Sequence, residues 1–197
     1  GLFNAENALC AITCARLLGI CWNAIEQGLS HVRVPGRMEI IASPSEPITA
    51  IVDYAHNYAS VTALLDFVDE RFGSQHPRIT LVTGSAGNKA YDRRKEIVEA
   101  AQHRIDSFIF TAEDTDTEPF IDICMEMQRY ITVPGIASTV ISDRPSAVTN
   151  AIYDARAHAD RFNIILIIGK GDERWIKDHN KHVPFEGDDR IVERMFA

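Results

Sequence analysis

Two runs, ITLVTG at residues 79–84 and IILIIG at residues 164–169, are apolar along most of their length and stop on a glycine. A strand with one wet face alternates apolar and polar residues. Runs like these call for burial on both faces, as in a parallel sheet sandwiched between helices. The rest of the chain has the matching rhythm. Strands are predicted over residues 38–41, 49–52, 79–83, 107–111, 139–141 and 164–168. Between them fall helical patterns: one carrying Val61, Leu64, Leu65 and Val68, then residues 92–103, 118–131, 145–158 and 188–195. Strands alternating with helices of this length specify an α/β fold, a mainly parallel sheet with helices on both faces. Right-handed crossovers then bring the C-terminal ends of the strands to one rim, where open α/β sheets hold their ligands.

The first thirty residues differ. The chain opens on Gly1 and enters a helix at once, with Ala5, Ala8, Leu9, Ile12, Ala15 and Leu18 spaced as an apolar stripe. Only one short helix, residues 21–28, follows to cover it. Residues 1–30 are therefore expected to be the helical end of a preceding domain, residues 31–197 the α/β domain, and the chain a piece of something larger. Cys10 and Cys14, one turn apart on that face, are expected to be buried thiols. With Cys21 and Cys124 they lack zinc or CxxC spacing, which fits a reducing, cytoplasmic setting. No apolar run nears the ~20 residues of a membrane span. A net charge of −8 argues against nucleic acid, because phosphate neutralisation needs clustered Lys and Arg. Neither a membrane nor nucleic acid is expected as a partner, and the chain is expected to be monomeric.

Four polar clusters follow strands and share the rim: DYAHN at 53–57, GSAGNK at 84–89, TAEDTD at 111–116 and GKGDE at 169–173. Their glycines either let backbone N–H groups approach an anion, with Lys89 or Lys170 neutralising it, or simply turn the chain. Neither GxxxxGK[ST] nor GxGxxG occurs, so no complete phosphate loop for ATP or a dinucleotide lies in these residues. Arg93, Arg94 and Lys95 open a helix where cations oppose the macrodipole. They form a solvated face, or turn a guanidinium fork back onto a carboxylate. Glu113, Asp114, Asp116 and Glu118 suit a metal or a substrate ammonium, or form a soluble loop with Asp116 or Thr117 capping the next helix. His56 is a candidate base, a phosphate donor or a structural hydrogen-bonder.

Taken in order, GLFNAENALCAI, VPGRMEII, VDYAHN, GSAGNKAYDRRK, TAEDTDTEP, SDRPSAV, IIGKGDE and EGDDRIV resemble the C-terminal half of the Mur ligases. The resemblance is closest to the members that add the third amino acid to UDP-N-acetylmuramoyl-L-alanyl-D-glutamate. It covers nearly the whole chain, and eight pieces in register make it specific. It implies a Rossmann-like C-terminal domain preceded by the end of a central ATPase domain. Position by position, it implies that Asn4 and Asn7 read the adenine and that Arg37 and Asp53 meet ribose and phosphate, with His56 and Asn57 beside that nucleotide site. It implies an amino-acid site in which Arg94 holds a carboxylate and Gly169 and Glu173 bind the distal end. Asp114, Thr115 and Asp116 fill the motif that reads the third residue.

In diaminopimelate enzymes that motif is typically Asp-Asn-Pro-Arg. With Glu113 in first place, Asp116 stands where the arginine would clamp a second carboxylate, and Thr115 replaces the proline. Like charges facing each other without water repel strongly. L-lysine, or a similar diamino acid such as ornithine, is therefore expected in preference to diaminopimelate. The resemblance further implies ATP-dependent amide formation, with the UDP-linked carboxylate activated as an acyl phosphate and the amine displacing phosphate. Mg2+ would neutralise the transferring group. ATP and Mg2+ would be held mainly by the central domain, which accounts for the missing phosphate loop, and these residues alone are expected to fold without activity. Two alternatives stand beside this reading. One is a non-catalytic nucleotide- or amino-acid-binding module; the other is the same domain from a folylpolyglutamate or cyanophycin synthetase type of ligase.

Overall fold

The computed structural model describes residues 2–32 and 34–197, leaving aside the side chains of Leu2, Phe3 and Asn4. The chain divides into two compact units, Gly1–Val34 and Pro35–Ala197. The first holds α1 (Leu2–Leu17) and α2 (Trp22–His31). Ala8, Ile12 and Ala15 are half-buried along a narrow line, but Leu9 and Leu18 lie open at 63% and 81% exposure. The expected burial of Cys10 and Cys14 is not found: both are exposed, as is Cys21. A two-helix unit has no third element to close over the far side of α1.

The second unit runs β1 (Glu39–Ala42), β2 (Ile48–Asp53), α3 (Tyr58–Phe72), β3 (Arg78–Thr83), α4 (Asp92–Ala101), β4 (Ser107–Thr111), α5 (Phe120–Arg129) and β5 (Ala137–Ile141). It continues with α6 (Arg144–Ala157), β6 (Asn163–Ile168), β7 (Trp175–Asp178), β8 (Lys181–Pro184) and α7 (Asp188–Phe196). Six strands form one sheet in the order β1–β2–β6–β3–β4–β5, with β1 antiparallel to β2 and the other pairings parallel. The α/β class read from the sequence is the fold observed.

Strand β6 shows why both faces had to be apolar. Ile164, Leu166 and Ile168 join the core under α3, α4 and α5, while Ile165 and Ile167 join the core under α6 and α7. Each is fully buried, and burying such a side chain contributes roughly 1.5–3 kcal/mol. Asn57 starts α3 with a capping box: its Oδ1 accepts the Ser60 N–H at 2.9 Å, and the Ser60 hydroxyl accepts from the Asn57 N–H at 3.2 Å.

The antiparallel hairpin β7–β8 is an addition that the sequence reading passed over. Its strands, WIKD and KHVP, are four residues each and largely exposed, so they carry little apolar alternation. Its two-residue turn, His179-Asn180, has φ of 44° and 58°, as a type I′ turn requires. The usual Asn-Gly signal is missing. No helix among the described residues is long and apolar enough to cross a membrane.

Candidate functional site

The ends of β2, β6, β3 and β4 lie side by side along one rim of the sheet. At the β2 end the Asp53 carboxylate accepts backbone N–H groups from Met38 at 2.6 Å and Ala55 at 2.7 Å, so both oxygens hold the chain itself. His56 Nδ1 lies 2.7 Å from the Tyr54 carbonyl. A carbonyl only accepts, so Nδ1 carries a hydrogen, and the tautomer with its hydrogen there presents Nε2 as an acceptor. The His56 ring meets Tyr54 edge-on at 5.3 Å, and the exposed Arg37 guanidinium lies 4.6 Å above the Tyr54 ring. Burial, and after it the Glu173 charge, push the Tyr54 hydroxyl above its ordinary pKa. Asn57 Oδ1 is committed to its cap. Asn7 is exposed on α1, and the Asn4 side chain lies outside the described residues.

The ends of β4 and β6 build an acidic nest. Lys170, fully buried, donates to Asp114 Oδ1 at 2.8 Å and pairs with Glu173, and its ammonium lies 4.2 Å over the Trp175 ring. The hairpin then reaches back. The Lys177 N–H donates to the same Asp114 oxygen at 2.9 Å, the Lys177 ammonium to Asp116 at 2.8 Å, and the Asn180 N–H to the other Asp116 oxygen at 2.7 Å. Asp116 has φ 53°, and its carboxyl is held below the usual carboxylate range, first by Lys177 and then by the Asn180 N–H. Thr115 is buried between these acids.

Glu113 is different. Its buried carboxyl has no side-chain hydrogen bond or ion pair among the described residues. Burial pushes its pKa up; Arg144 opposes that, while Asp114 and Glu173 add to it. Gly169 faces it directly, with φ +100° and a position where an added Cβ would lie 2.9 Å from Glu113 Cδ. Glycine is required there for clearance as well as conformation.

Arg94 is committed through both terminal nitrogens, while its buried Nε has no partner among the described residues. It is 1% exposed and forks onto Glu118 at 2.8 and 2.7 Å and onto Glu126 at 2.6 Å, with a further bond to the Ala86 carbonyl. Glu118 in turn accepts the Asn88 N–H at 2.7 Å. The loop so held presents Lys89, exposed and without an ion pair among the described residues, between Asn88 and Ala90 at φ 59° and 51°. An alanine in the left-handed region is a strained residue, and strain of this kind gathers at working sites.

Asp114, Asp116 and Glu118 each pair with a cation of the chain, and no group of three or more His, Cys, Asp or Glu side chains among the described residues is arranged to hold an ion. The sequence reading missed Lys177, which sits on the unrecognised hairpin, and it counted Glu113 in the acidic cluster and the motif but not among the amino-acid site positions. A positive charge four residues beyond GKGDE was the available signal for Lys177.

Residues 36–171 match the family described as Mur ligase, glutamate ligase domain. Over 199 residues the chain is 70% identical to the UDP-N-acetylmuramyl-tripeptide synthetase of Bifidobacterium longum, covering 100% of this chain and 38% of that protein. It is 35% identical over 195 residues to the UDP-N-acetylmuramoyl-L-alanyl-D-glutamate–L-lysine ligase of Enterococcus faecalis, covering 98% and 37%. Among solved structures, a UDP-N-acetylmuramoyl-L-alanyl-D-glutamate–2,6-diaminopimelate ligase superposes with a TM-score of 0.70 at 25% identity, over 100% of this chain and 38% of that one. The UDP-N-acetylmuramate-alanine ligase of Thermotoga maritima shares the fold with a TM-score of 0.65 at 21% identity, over 99% and 38%. The chain spans under two fifths of the length of these curated relatives.

Proposed function

Because this chain belongs to the Mur ligase family, as its glutamate ligase domain, we propose that it is the C-terminal part of an ATP-dependent amide ligase of peptidoglycan synthesis. The enzyme adds a diamino acid, L-lysine-like in preference to meso-diaminopimelate, to UDP-N-acetylmuramoyl-L-alanyl-D-glutamate. Charge balance on the rim carries this preference. Glu113, Asp114 and Glu173 gather around the single ammonium of Lys170, and the nearby Arg144 is already paired with Asp188. An entering ammonium relieves that surplus of negative charge, whereas a second carboxylate adds to it in a place poor in water.

The roles follow from which groups are free. Glu113, without a side-chain partner among the described residues, receives the side-chain ammonium beside Gly169 and Glu173. Asp114, Thr115 and Asp116 shape that pocket, and Asp116 acts by anchoring the hairpin through Lys177. Lys89 meets the substrate's carboxylate. Arg94, its fork filled by Glu118 and Glu126, holds the loop that presents Lys89. Arg37, Tyr54 and His56 offer a cation, an aromatic face and an imidazole, a surface that fits a nucleotide, with Asn4, Asn7, Asp53 and Asn57 as the further positions the family implies. When bound, ATP supplies the phosphoryl group that activates the accepting carboxylate. His56, with Nε2 open, is the candidate acceptor for the proton shed by the attacking amine.

Mg2+, like the phosphate-binding loop, is assigned to a part of the enzyme outside these residues. Residues 1–30 are read as the end of the central ATPase domain, and the setting as cytoplasmic. Steady-state kinetics of the full-length ligase decide the matter: kcat/KM with L-lysine, L-ornithine and meso-diaminopimelate should favour the first two at least tenfold. Diaminopimelate used equally well or better defeats the assignment.

A further inference from the structure

Helix α7 opens on two consecutive aspartates, and each grips an arginine from a different part of the rim. Asp188 and Arg144 are both fully buried, with Nε at 2.9 Å from one carboxylate oxygen and Nη2 at 2.8 Å from the other. The remaining Arg144 donors reach the Ile168 carbonyl at 2.8 Å and the Ala112 carbonyl at 3.3 Å. Those carbonyls immediately precede Gly169 and Glu113. Asp189 takes the fork of Arg174, Nη1 at 2.5 Å and Nη2 at 2.7 Å. Arg174 leads into β7, and its carbonyl accepts the Phe185 N–H at 3.0 Å, closing the base of the hairpin. Successive residues of a helix point about 100° apart, so adjacent acids can serve separate partners.

The approach is tight. Gly187, just before α7, has φ +98°, and an added Cβ would lie 2.6 Å from Arg174 Cζ. Burial works to raise the Asp189 pKa, but hydrogen bonds from Arg174 and from the helix N–H groups hold it below the ordinary value. The hairpin carries Lys177, which holds Asp114 and Asp116. Charge-assisted bidentate bonds fix orientation as well as distance. Two continuous routes therefore lead from α7 to the acidic nest, one through the strand ends and one through the hairpin.

We propose that Asp188 and Asp189 form a positioning clamp that sets, through Arg144 and Arg174, where Glu113, Asp114 and Lys170 stand, and so governs affinity for the incoming amino acid without touching it. The clamp rests on reading this rim as the amino-acid site. It gives work to two sequence motifs, SDRPSAV and EGDDRIV, that the binding site itself leaves unused.

The test uses the full-length ligase carrying Asp189→Asn or Arg174→Gln, on the less buried of the two pairs, where folding is retained more readily than with Asp188 variants. The KM for the diamino acid should rise at least tenfold. The KM values for ATP and the UDP-linked substrate should stay within twofold and kcat within threefold, and Asp189→Glu should restore part of the loss. Equal changes in all three KM values, or no change in the amino-acid KM, overturn the clamp. Amide exchange gives a readout independent of turnover: Asp189→Asn should speed exchange over residues 175–184 and 112–117 and leave α3 as it was. Unaltered protection in both segments also overturns the clamp. A wild-type enzyme that turns over no diamino acid defeats the site assignment instead, and the exchange comparison still decides whether the clamp exists.

Discussion

Gly169→Ala isolates the contact between the glycine after β6 and the acid after β4. Gly169 has φ +100°, and the added Cβ would lie 2.9 Å from Glu113 Cδ. An L-residue in left-handed backbone costs about 1–2 kcal/mol. Carbon atoms settle at ~3.5–4.0 Å, so the carboxyl must retreat by roughly 1 Å. It is the far end of a flexible side chain and can move with little further strain. At ~2–4 °C per kcal/mol for a domain of this size, the melting temperature should fall by about 2–8 °C. A group misplaced by ~1 Å can lose about 100-fold in effect, so the KM for the diamino acid should rise roughly 10–100-fold with the KM for ATP unchanged. The assays are thermal melts and steady-state kinetics on Gly169→Ala, Glu113→Ala and the double variant of the full-length enzyme. With Glu113 shortened, alanine at position 169 keeps its backbone strain but has nothing to displace. The melting loss should persist while the additional KM effect disappears. The same KM increment in both backgrounds refutes the contact, and an unchanged melting temperature refutes the strain.

Glu113→Gln should stabilise the protein at neutral pH. Burial raises the Glu113 pKa in the folded state, so its favourable contribution is complete below the unfolded value of about 4.3 and is lost as pH rises through the folded one. Melts from pH 4 to 8 should show the variant's advantage growing with pH, and parallel curves contradict this. Arg144→Met leaves buried Asp188 unpaired and should destabilise by about 3–5 kcal/mol in denaturant titrations, while Arg144→Met with Asp188→Leu recovers most of that. A double variant no better than the single one rules out an uncompensated charge as the cause. Lys89→Met should raise the amino-acid KM by roughly 10–100-fold, the loss of a hydrogen bond to a charged group being worth ~1.5–3 kcal/mol, without lowering the melting temperature. If Lys89→Met is silent, the carboxylate is held elsewhere. The buried Cys124 thiol, pushed up to about 12 by burial, should resist alkylation at pH 8 while the exposed Cys10, Cys14 and Cys21 react, as peptide mass mapping would show.

The sheet was legible because its strands are buried on both faces and leave no room for polar residues. The segment 107–111 was read to the residue and 79–83 to within one. Helix ends were less clear. The predicted helix 118–131 starts only at Phe120, because Pro119 stands at the N-cap outside helical backbone and disfavours helix at Glu118 before it; it ends at Arg129. The apolar spacing in residues 5–18 shows only that a face of α1 is fit to be covered. It does not show that the same unit covers it, and so Cys10 and Cys14 came out exposed. The hairpin was lost for the opposite reason: it is held by polar contacts and a His-Asn turn, which leave no periodicity to read.

The site was legible as an address but not as a charge. TAEDTD shows three acids, and a reading from the motif alone lets each of them face a substrate. The structure gives Asp114 to Lys170 and Lys177, 56 and 63 positions away, and gives Asp116 to Lys177 and Asn180, 61 and 64 positions away. Of the three, only Glu113 has no side-chain partner among the described residues. Aspartate in the fourth motif position therefore does not place a bare negative charge on the rim, because Lys177 pairs with it and cancels it. On the proposed reading, a second carboxylate would meet the remainder, the three acids around Lys170, and that sum is set by pairings between strand ends and a hairpin that lie far apart in the chain. Selectivity at this rim should accordingly respond to Glu113 and Lys177 together, and swapping Asp116 for arginine alone would leave Lys177 facing a like charge rather than install a carboxylate clamp.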